Sequence, residues 1–238
     1  ETESGRGVSV PEIMRGPCRG KRSRRAWRGH APTVAALQEL LIKFPETTLL
    51  AVSRKGVFEL NKKAVEGKFS AAQPLCATGL FADVETNPDN YEKGDDGQSR
   101  MKSFARLVPY ELLVYAGMKL YLTQNVDPLV DYVNGMKVTV ETYHEASKGL
   151  RVITETGHRI AIYPWTNRDL GNATYYPIRP GYASTIVKFQ GAELQHVTLW
   201  LDVPGIPGAA YTAMSRVQLG ENCLIGGNLK ALHFMPAR

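Results

Sequence analysis

The sequence predicts an α/β protein, a parallel sheet with helices, interrupted by a small all-β module. Two observations carry this. Short apolar runs that read as buried strands (47–52, 196–203, 222–227) alternate with segments of helical spacing, which is the mark of a parallel sheet. In the middle of the chain, four segments with period-two alternation follow one another with turn residues between them, which is hairpin chemistry.

Taken in order, residues 1–31 are rich in Gly, Arg, Ser and Pro and read as a loosely ordered tail. Pro32–Thr33 is a helix start signal, and Val34, Leu37, Leu41 and Phe44 recur at helical spacing. Residues 47–52, TTLLAV, read as a buried strand. Residues 53–69 read as a helix with Val57, Leu60, Ala64 and Val65 inward. Residues 83–103 are polar and turn-rich and predict a loop. GMKLYLTQNV, MKVTVETYH, LRVITET and HRIAIYPW then predict strands, with Asn134–Gly135 and Thr156–Gly157 as turns. TYYPIR reads as a strand and YASTIVKFQG as a loop entering a helix. HVTLWLDV reads as a buried strand, GAAYTAMSRV as a helix and NCLIGG as a last strand. The expected organisation is a basic linker or tail (1–31), the first part of an α/β domain (32–110), a β insert (111–170) and the rest of the domain (171–238).

The composition is that of an ordinary globular chain, 238 residues with 43% hydrophobic and 22% charged. No apolar stretch is long enough for a membrane span, so no membrane partner is expected. No secretory h-region is present, and three widely spaced cysteines (Cys18, Cys76, Cys223) read as reduced thiols of an intracellular protein. Nucleus and mitochondrion both stay open, and KRSRR is a short match to a nuclear signal. The chain begins with Glu1 rather than Met and reads as a fragment or processed product. The net charge is +6, but eight basic residues against three acidic ones place +5 of it in residues 1–30. That segment could touch phosphates or be a solvated linker.

Two constellations bear on chemistry. At one corner stand Thr185, Lys188, Gln190 and Gly191. A hydroxyl and an ammonium can hold phosphate oxygens, an amide can donate and accept, and glycine admits a close backbone approach. Taken alone, the corner reads equally as a helix start with incidental polar residues. The second is GAAYTAMSRV, a small-residue helix ending in Ser215–Arg216. An arginine there could stabilise a transferring phosphoryl group, or simply sit at a helix C-terminus where the dipole favours a cation.

Together, in the order strand, polar corner, strand, small-residue helix, Ser-Arg, these segments resemble motifs V and VI of superfamily 1 helicases. YASTIVKFQGAEL resembles the pattern Thr-Ile-His-Lys-Ser-Gln-Gly, and AYTAMSRV the pattern Tyr-Val-Ala-x-Ser-Arg. AGMKLYLTQNVDPLVDYVNGMKVTV resembles the intervening segment of the RecD-like and PIF-type branch (superfamily 1B) of 5′-to-3′ DNA helicases. TTLLAVSRKGVFELNKKAV resembles motif IV more loosely. The resemblance covers roughly residues 45–235. It implies the second RecA-like domain of a two-lobed motor, with an SH3-like β-barrel insert, and a setting in DNA repair or recombination.

The resemblance also implies roles. Arg216 matches an arginine finger, the catalytic position. Gln190, Gly191 and Arg54 match nucleotide-binding positions, and Thr185 and Lys188 positions near single-stranded DNA. Tyr211 and Ser215 complete the motif VI helix. Val187 stands where the family has histidine and Phe189 where it has serine, which bears on the coupling of hydrolysis to DNA; both suit a helix or a core. Tyr163 and Trp165 could stack on bases, although packing inside a small barrel is the expected role.

A phosphate cradle, G-x-x-x-x-G-K-[ST], does not occur. Around Gly20–Lys21, Arg15 and Arg22 replace the first glycine and the hydroxyl. Around Gly67–Lys68, Lys62 and Phe69 do. No acidic Walker B strand precedes the motifs. ATP and Mg²⁺ are therefore expected only with a Walker A/B lobe, in cis or in trans. No metal site is expected in this chain. The expected function is the C-terminal motor half of an ATP-dependent DNA helicase acting on single-stranded DNA. The alternatives are a non-catalytic nucleic-acid-binding module and a degenerate remnant.

Overall fold

The computed structural model describes residues 32–189, 193–203, 206–227 and 231–235. Helix α1 (Val34–Lys43) starts where the Thr33 side chain accepts a hydrogen bond from the Ala36 N–H at 3.2 Å. It buries Leu37 and Leu41 and stops before Pro45. Strand β1 (Thr47–Ala51) is buried along its whole length, as a strand covered on both faces of a parallel sheet must be. Helix α2 (Arg54–Phe69) follows, capped by Ser53, and buries Val57, Leu60, Asn61 and Ala64. Val65 is half-buried against the same core.

The stretch after α2 carries β2 (Cys76–Ala77), then β3 (Tyr91–Lys93) paired antiparallel with β4 (Ser99–Met101). The loop expected over 83–103 therefore contains a hairpin. Its strands are only three residues long and β4 is exposed throughout, so no apolar alternation announces it. The loop is braced from within. The Asn90 carboxamide accepts from Val108 N at 2.6 Å and donates to Val84 O at 3.1 Å, and Asn87 Nδ2 donates to Val108 O at 3.3 Å.

Strand β5 (Leu113–Val114) pairs with β2. Then come β6 (Lys119–Leu122), β7 (Lys137–His144), β8 (Gly149–Thr154), β9 (Arg159–Ile162) and β10 (Trp165–Asn167). Next are β11 (Ala173–Tyr175), paired with β10, and β12 (Ile178–Pro180), paired with β6. The segment expected as one strand, TYYPIR, is thus divided at Tyr176–Pro177 between two sheets. The larger of these is a five-stranded antiparallel sheet in the order β12-β6-β7-β8-β9. The predicted turn glycines have positive φ, 89° at Gly135 and 93° at Gly157, the conformation that such turns require.

The chain then returns to the first sheet. Strands β13 (Ala183–Thr185), β14 (His196–Leu201) and β15 (Cys223–Gly227) join β1 in the order β13-β1-β14-β15, all parallel. Helix α3 (Ala209–Met214) lies between β14 and β15 and buries three alanines against them. The protein is α/β, as expected. One corner differs: residues 182–189 form strand β13 and a single 3₁₀ turn, Ile186–Phe189, and not a loop entering a helix. A three-residue edge strand followed by β-branched Ile186 and Val187 favours that outcome.

The larger core crosses from one sheet to the other. It runs from Leu37, Leu49 and Leu60 through Tyr182 to Leu120, Val140 and Leu150 without a break. Phe69 stacks on Tyr115 at 4.8 Å and Phe58 meets Tyr110 edge-on at 4.9 Å, so α2 forms a wall shared by both sheets.

Candidate functional site

Ligands of open parallel sheets bind in the crevice beyond the carboxyl ends of the strands. Here those ends are Ala51, Thr185 and Leu201. Ala51 stands in register with Thr185 on one side and Trp200 on the other. Arg54, Thr185 and Lys188 all follow that edge by a few residues. Gln190 and Gly191 lie outside the described residues.

Asn61 sets the position of β13. Its buried carboxamide accepts from Ala183 N at 2.8 Å and Tyr182 N at 3.2 Å and donates to Ala183 O at 3.3 Å. Because β13 is the edge strand, these outward groups have no strand to pair with. One side chain of α2 takes that place and joins the helix that follows β1 to strand β13.

Arg54 is the first residue of α2 and is exposed. Its guanidinium lies 4.8 Å from the centroid of the Tyr91 ring, a cation–π contact. The Tyr91 hydroxyl donates to Glu85 O at 2.9 Å. Burial raises the Tyr91 pKa, and the Arg54 charge opposes the rise. The hairpin-bearing loop therefore meets the Arg54 side chain at its guanidinium.

Lys188 sits in the 3₁₀ turn. The residue as a whole is exposed, yet its ammonium pKa is lowered, by desolvation first and then by the Arg179 charge; Glu85 and Asp83 oppose this. Asp83 is itself buried, 5% exposed, and accepts from the Thr86 hydroxyl at 2.5 Å. Burial pushes its carboxyl up to about 6 against the pull of Arg179 and Lys188. The corner thus brings three cations, Arg54, Arg179 and Lys188, near the carboxyls of Asp83 and Glu85. The sequence reading missed Asp83 and Arg179. The one local signal was the Asp83-x-x-Thr86 spacing, which does not reveal burial.

Arg216 lies just past α3 and turns back toward the corner. Its Nη1 donates to Phe189 O at 3.2 Å, its Nε to Thr212 O at 3.2 Å and its Nη2 to the Ser215 hydroxyl at 2.8 Å. Leu194 N donates to Arg216 O at 2.7 Å. The two segments expected to work together are therefore hydrogen-bonded. All of these acceptors are neutral, which leaves the guanidinium charge uncompensated by them. Ser215 belongs to this network, whereas Tyr211 is 65% exposed.

Val187 and Phe189 part company. Phe189 packs against the smaller core around Leu50 and Leu199, whereas Val187, which suited a helix or a core, is 74% exposed in the 3₁₀ turn. Tyr163 and Trp165 are 53% and 43% exposed. Packing inside the β module was the expected role; their rings instead face solvent at its edge, Trp165 meeting Tyr175 edge-on at 6.0 Å. Among the described residues, no three His, Cys, Asp or Glu side chains converge as metal ligands. No helix there is long and apolar enough to cross a membrane.

No protein-family model matches the chain. It is 29% identical over 136 residues, 53% of the chain, to the ATP-dependent DNA helicase Pif1 of Bdellovibrio bacteriovorus, covering 30% of that protein. It resembles Bacteroides Pif1 bound to single-stranded DNA with a TM-score of 0.55 at 18% identity, over 87% of the chain and 48% of that structure. With Bacteroides Pif1 in complex with ADP-AlF3 and single-stranded DNA, the TM-score is 0.56 at 17% identity, over 96% and 52%. With Pif1 helicase from Candida albicans it is 0.53 at 15% identity, over 86% and 51%. The chain thus spans about half the length of the solved relatives and less than a third of the curated one. At these identities the structures establish a shared RecA-like fold, and the Bdellovibrio protein supplies the likeness in sequence. By sequence and structural neighbours the chain is a homologue of the Pif1 helicases of superfamily 1B, and its partial span fits a C-terminal lobe.

Proposed function

We propose that this chain is the C-terminal motor lobe of an ATP-dependent DNA helicase that acts on single-stranded DNA together with a Walker A/B lobe, in cis or in trans. One observation carries the reading. Among the described residues, Arg216 is hydrogen-bonded to the carbonyl of Phe189, and its acceptors there are neutral. A guanidinium held in place with its charge uncompensated suits the oxygens of a γ-phosphate. Arg54, with Gln190 and Gly191, faces the nucleotide, and Thr185 and Lys188 face the DNA backbone. Helicases of this kind use ATP and Mg²⁺. The cationic corner fits the triphosphate, and the Mg²⁺ ligands come from the other lobe. The five-stranded antiparallel sheet is the SH3-like insert, and strand contacts to sugar and phosphate give little sequence preference.

The test is DNA-stimulated ATP turnover in the protein that contains both lobes. Arg216→Ala should lower turnover by about 10³-fold or more, the usual scale for an arginine finger, while single-stranded DNA affinity stays within about twofold. Turnover unchanged by the substitution would refute the assignment. The exposed Val187 favours a second reading, a strand-binding module without nucleotide dependence. Salt-sensitive DNA binding that ATP and Mg²⁺ do not alter, in that same two-lobed protein, would favour it.

A further inference from the structure

The helix that begins with Arg54 needs something to hold its first turn. Helix α2 has sixteen residues and no acidic side chain in that turn. Its leading N–H groups and the positive end of its dipole therefore want an anion from elsewhere. Asp202, the residue after β14, supplies it. Its carboxylate accepts from Val52 N at 2.9 Å and from Ser53 N at 3.3 and 3.4 Å, and also from the Ser53 hydroxyl. The same Ser53 oxygen accepts from Gly56 N at 2.9 Å. A relay thus runs from Gly56 through Ser53 to Asp202 and takes in the two residues directly before Arg54.

Gly56 is the second, independent sign. A glycine inside a helix is destabilising relative to alanine. Here a β-carbon on Gly56 would run into the Asp202 carboxylate. The carboxylate occupies the space a side chain would need, and the helix accepts a poor helix former to make room for it. Because Trp200 and Ala51 are in register, the clamp joins two neighbouring strand ends, β14 and β1.

We propose that Asp202 is a positioning residue for Arg54: it pins the turn that carries this arginine to the end of β14, the strand whose outgoing segment leads to α3 and Arg216. This rests on the reading of Arg54 as nucleotide-facing. It also means that the α2 N-terminus is not a phosphate cradle, since an internal carboxylate already fills it. The nucleotide meets a side-chain cation there and not backbone amides.

Asp202→Asn tests the clamp. The amide keeps the shape but offers one accepting oxygen and no charge. Two measurements are made for wild type, Asp202→Asn, Arg54→Ala and the double variant, the first on the chain as it stands and the second on the protein that contains both lobes. The first is amide hydrogen exchange. Ser53, Arg54 and Gly56 should exchange about tenfold faster in Asp202→Asn, the factor that corresponds to losing one charge-assisted bond, with β14 and β15 unchanged. The second is affinity for a fluorescent N-methylanthraniloyl ATP. Arg54→Ala and Asp202→Asn should each weaken it about fivefold, and the double variant no more than Arg54→Ala alone, since coupled residues do not add. Affinity unchanged in Asp202→Asn, or additive losses, would overturn the positioning role. If Arg54→Ala itself leaves affinity unchanged, the nucleotide-facing reading of Arg54 fails, and positioning for nucleotide with it. The clamp then stands or falls on the exchange rates alone.

Discussion

Replacing Asn61 by leucine removes one carboxamide and very little volume, so the substitution probes hydrogen bonding and not packing. Leucine leaves the buried N–H groups of Tyr182 and Ala183 and the Ala183 carbonyl without their partner. Asn61 is 4% exposed and Ala183 is 3% exposed, so water does not replace the lost bonds. Each unsatisfied buried group costs about 1–3 kcal/mol. Two N–H groups alone predict a loss of about 2–6 kcal/mol, a large part of the 5–15 kcal/mol typical of a folded domain. Urea denaturation followed by the fluorescence of Trp200, which is buried in β14 of the same sheet, measures the loss. Amide exchange at Ala183 locates it. A loss below about 1 kcal/mol would refute the argument that a single side chain completes the edge of this sheet. So would exchange that accelerates equally in β15, since the effect would then be global.

Three further outcomes are expected. Burial raises the Asp83 carboxyl from 3.8 to about 6. The folded state therefore holds this proton more tightly than the unfolded chain, and stability falls by about 3 kcal/mol as pH rises between those values and is flat above. Asp83→Asn keeps an acceptor for Thr86 and should raise the urea midpoint at pH 7.5, with the gain vanishing near pH 4; an equal gain at both would exclude titration as the cause. Trp165→Ala and Tyr163→Ala should each cost no more than about 1 kcal/mol of stability, because the rings are largely exposed and lose at most an edge contact. If those rings receive DNA bases, the same variants should weaken single-stranded DNA binding by about 1–3 kcal/mol per base stacked, and undiminished affinity by fluorescence anisotropy would remove them from the strand path.

The parallel sheet was legible because β1 and β14 are short runs rich in apolar residues, and the antiparallel sheet because its strands alternate and turn at Asn134–Gly135 and Thr156–Gly157. What escaped has a common cause in distance along the chain. Asn61 bonds to residues 121 and 122 positions away, and Asp202 to residues 149 and 150 away. Nothing near either residue reports such a partner, although an aspartate closing the apolar run HVTLWL was a visible hint. Asp83 was hidden by a polar neighbourhood that reads as exposed loop, when Asn87 and Asn90 in fact fold that loop upon itself. Arg216 and Arg54 were singled out through the likeness of local segments to motifs VI and IV, and the structure adds that Arg216 donates to the Phe189 carbonyl. Tyr163 and Trp165 were misjudged because aromatic character fits a barrel interior and an exposed rim equally well.

The antiparallel sheet is not a bead on a string. Strand β12 ends at Pro180 and β13 begins at Ala183, leaving Gly181 and Tyr182 as the entire connection. Gly181 N donates to Lys119 O at 2.9 Å, and the Tyr182 hydroxyl accepts from Lys119 N at 3.2 Å. The joint has no slack. Any torque on the sheet, from a DNA strand drawn across it or from a neighbouring lobe, arrives within a few residues at Thr185 and Lys188. The module is better pictured as the handle of a crank than as an appended sensor. Cutting it out would open the shared core along α2 and strand that helix without its wall.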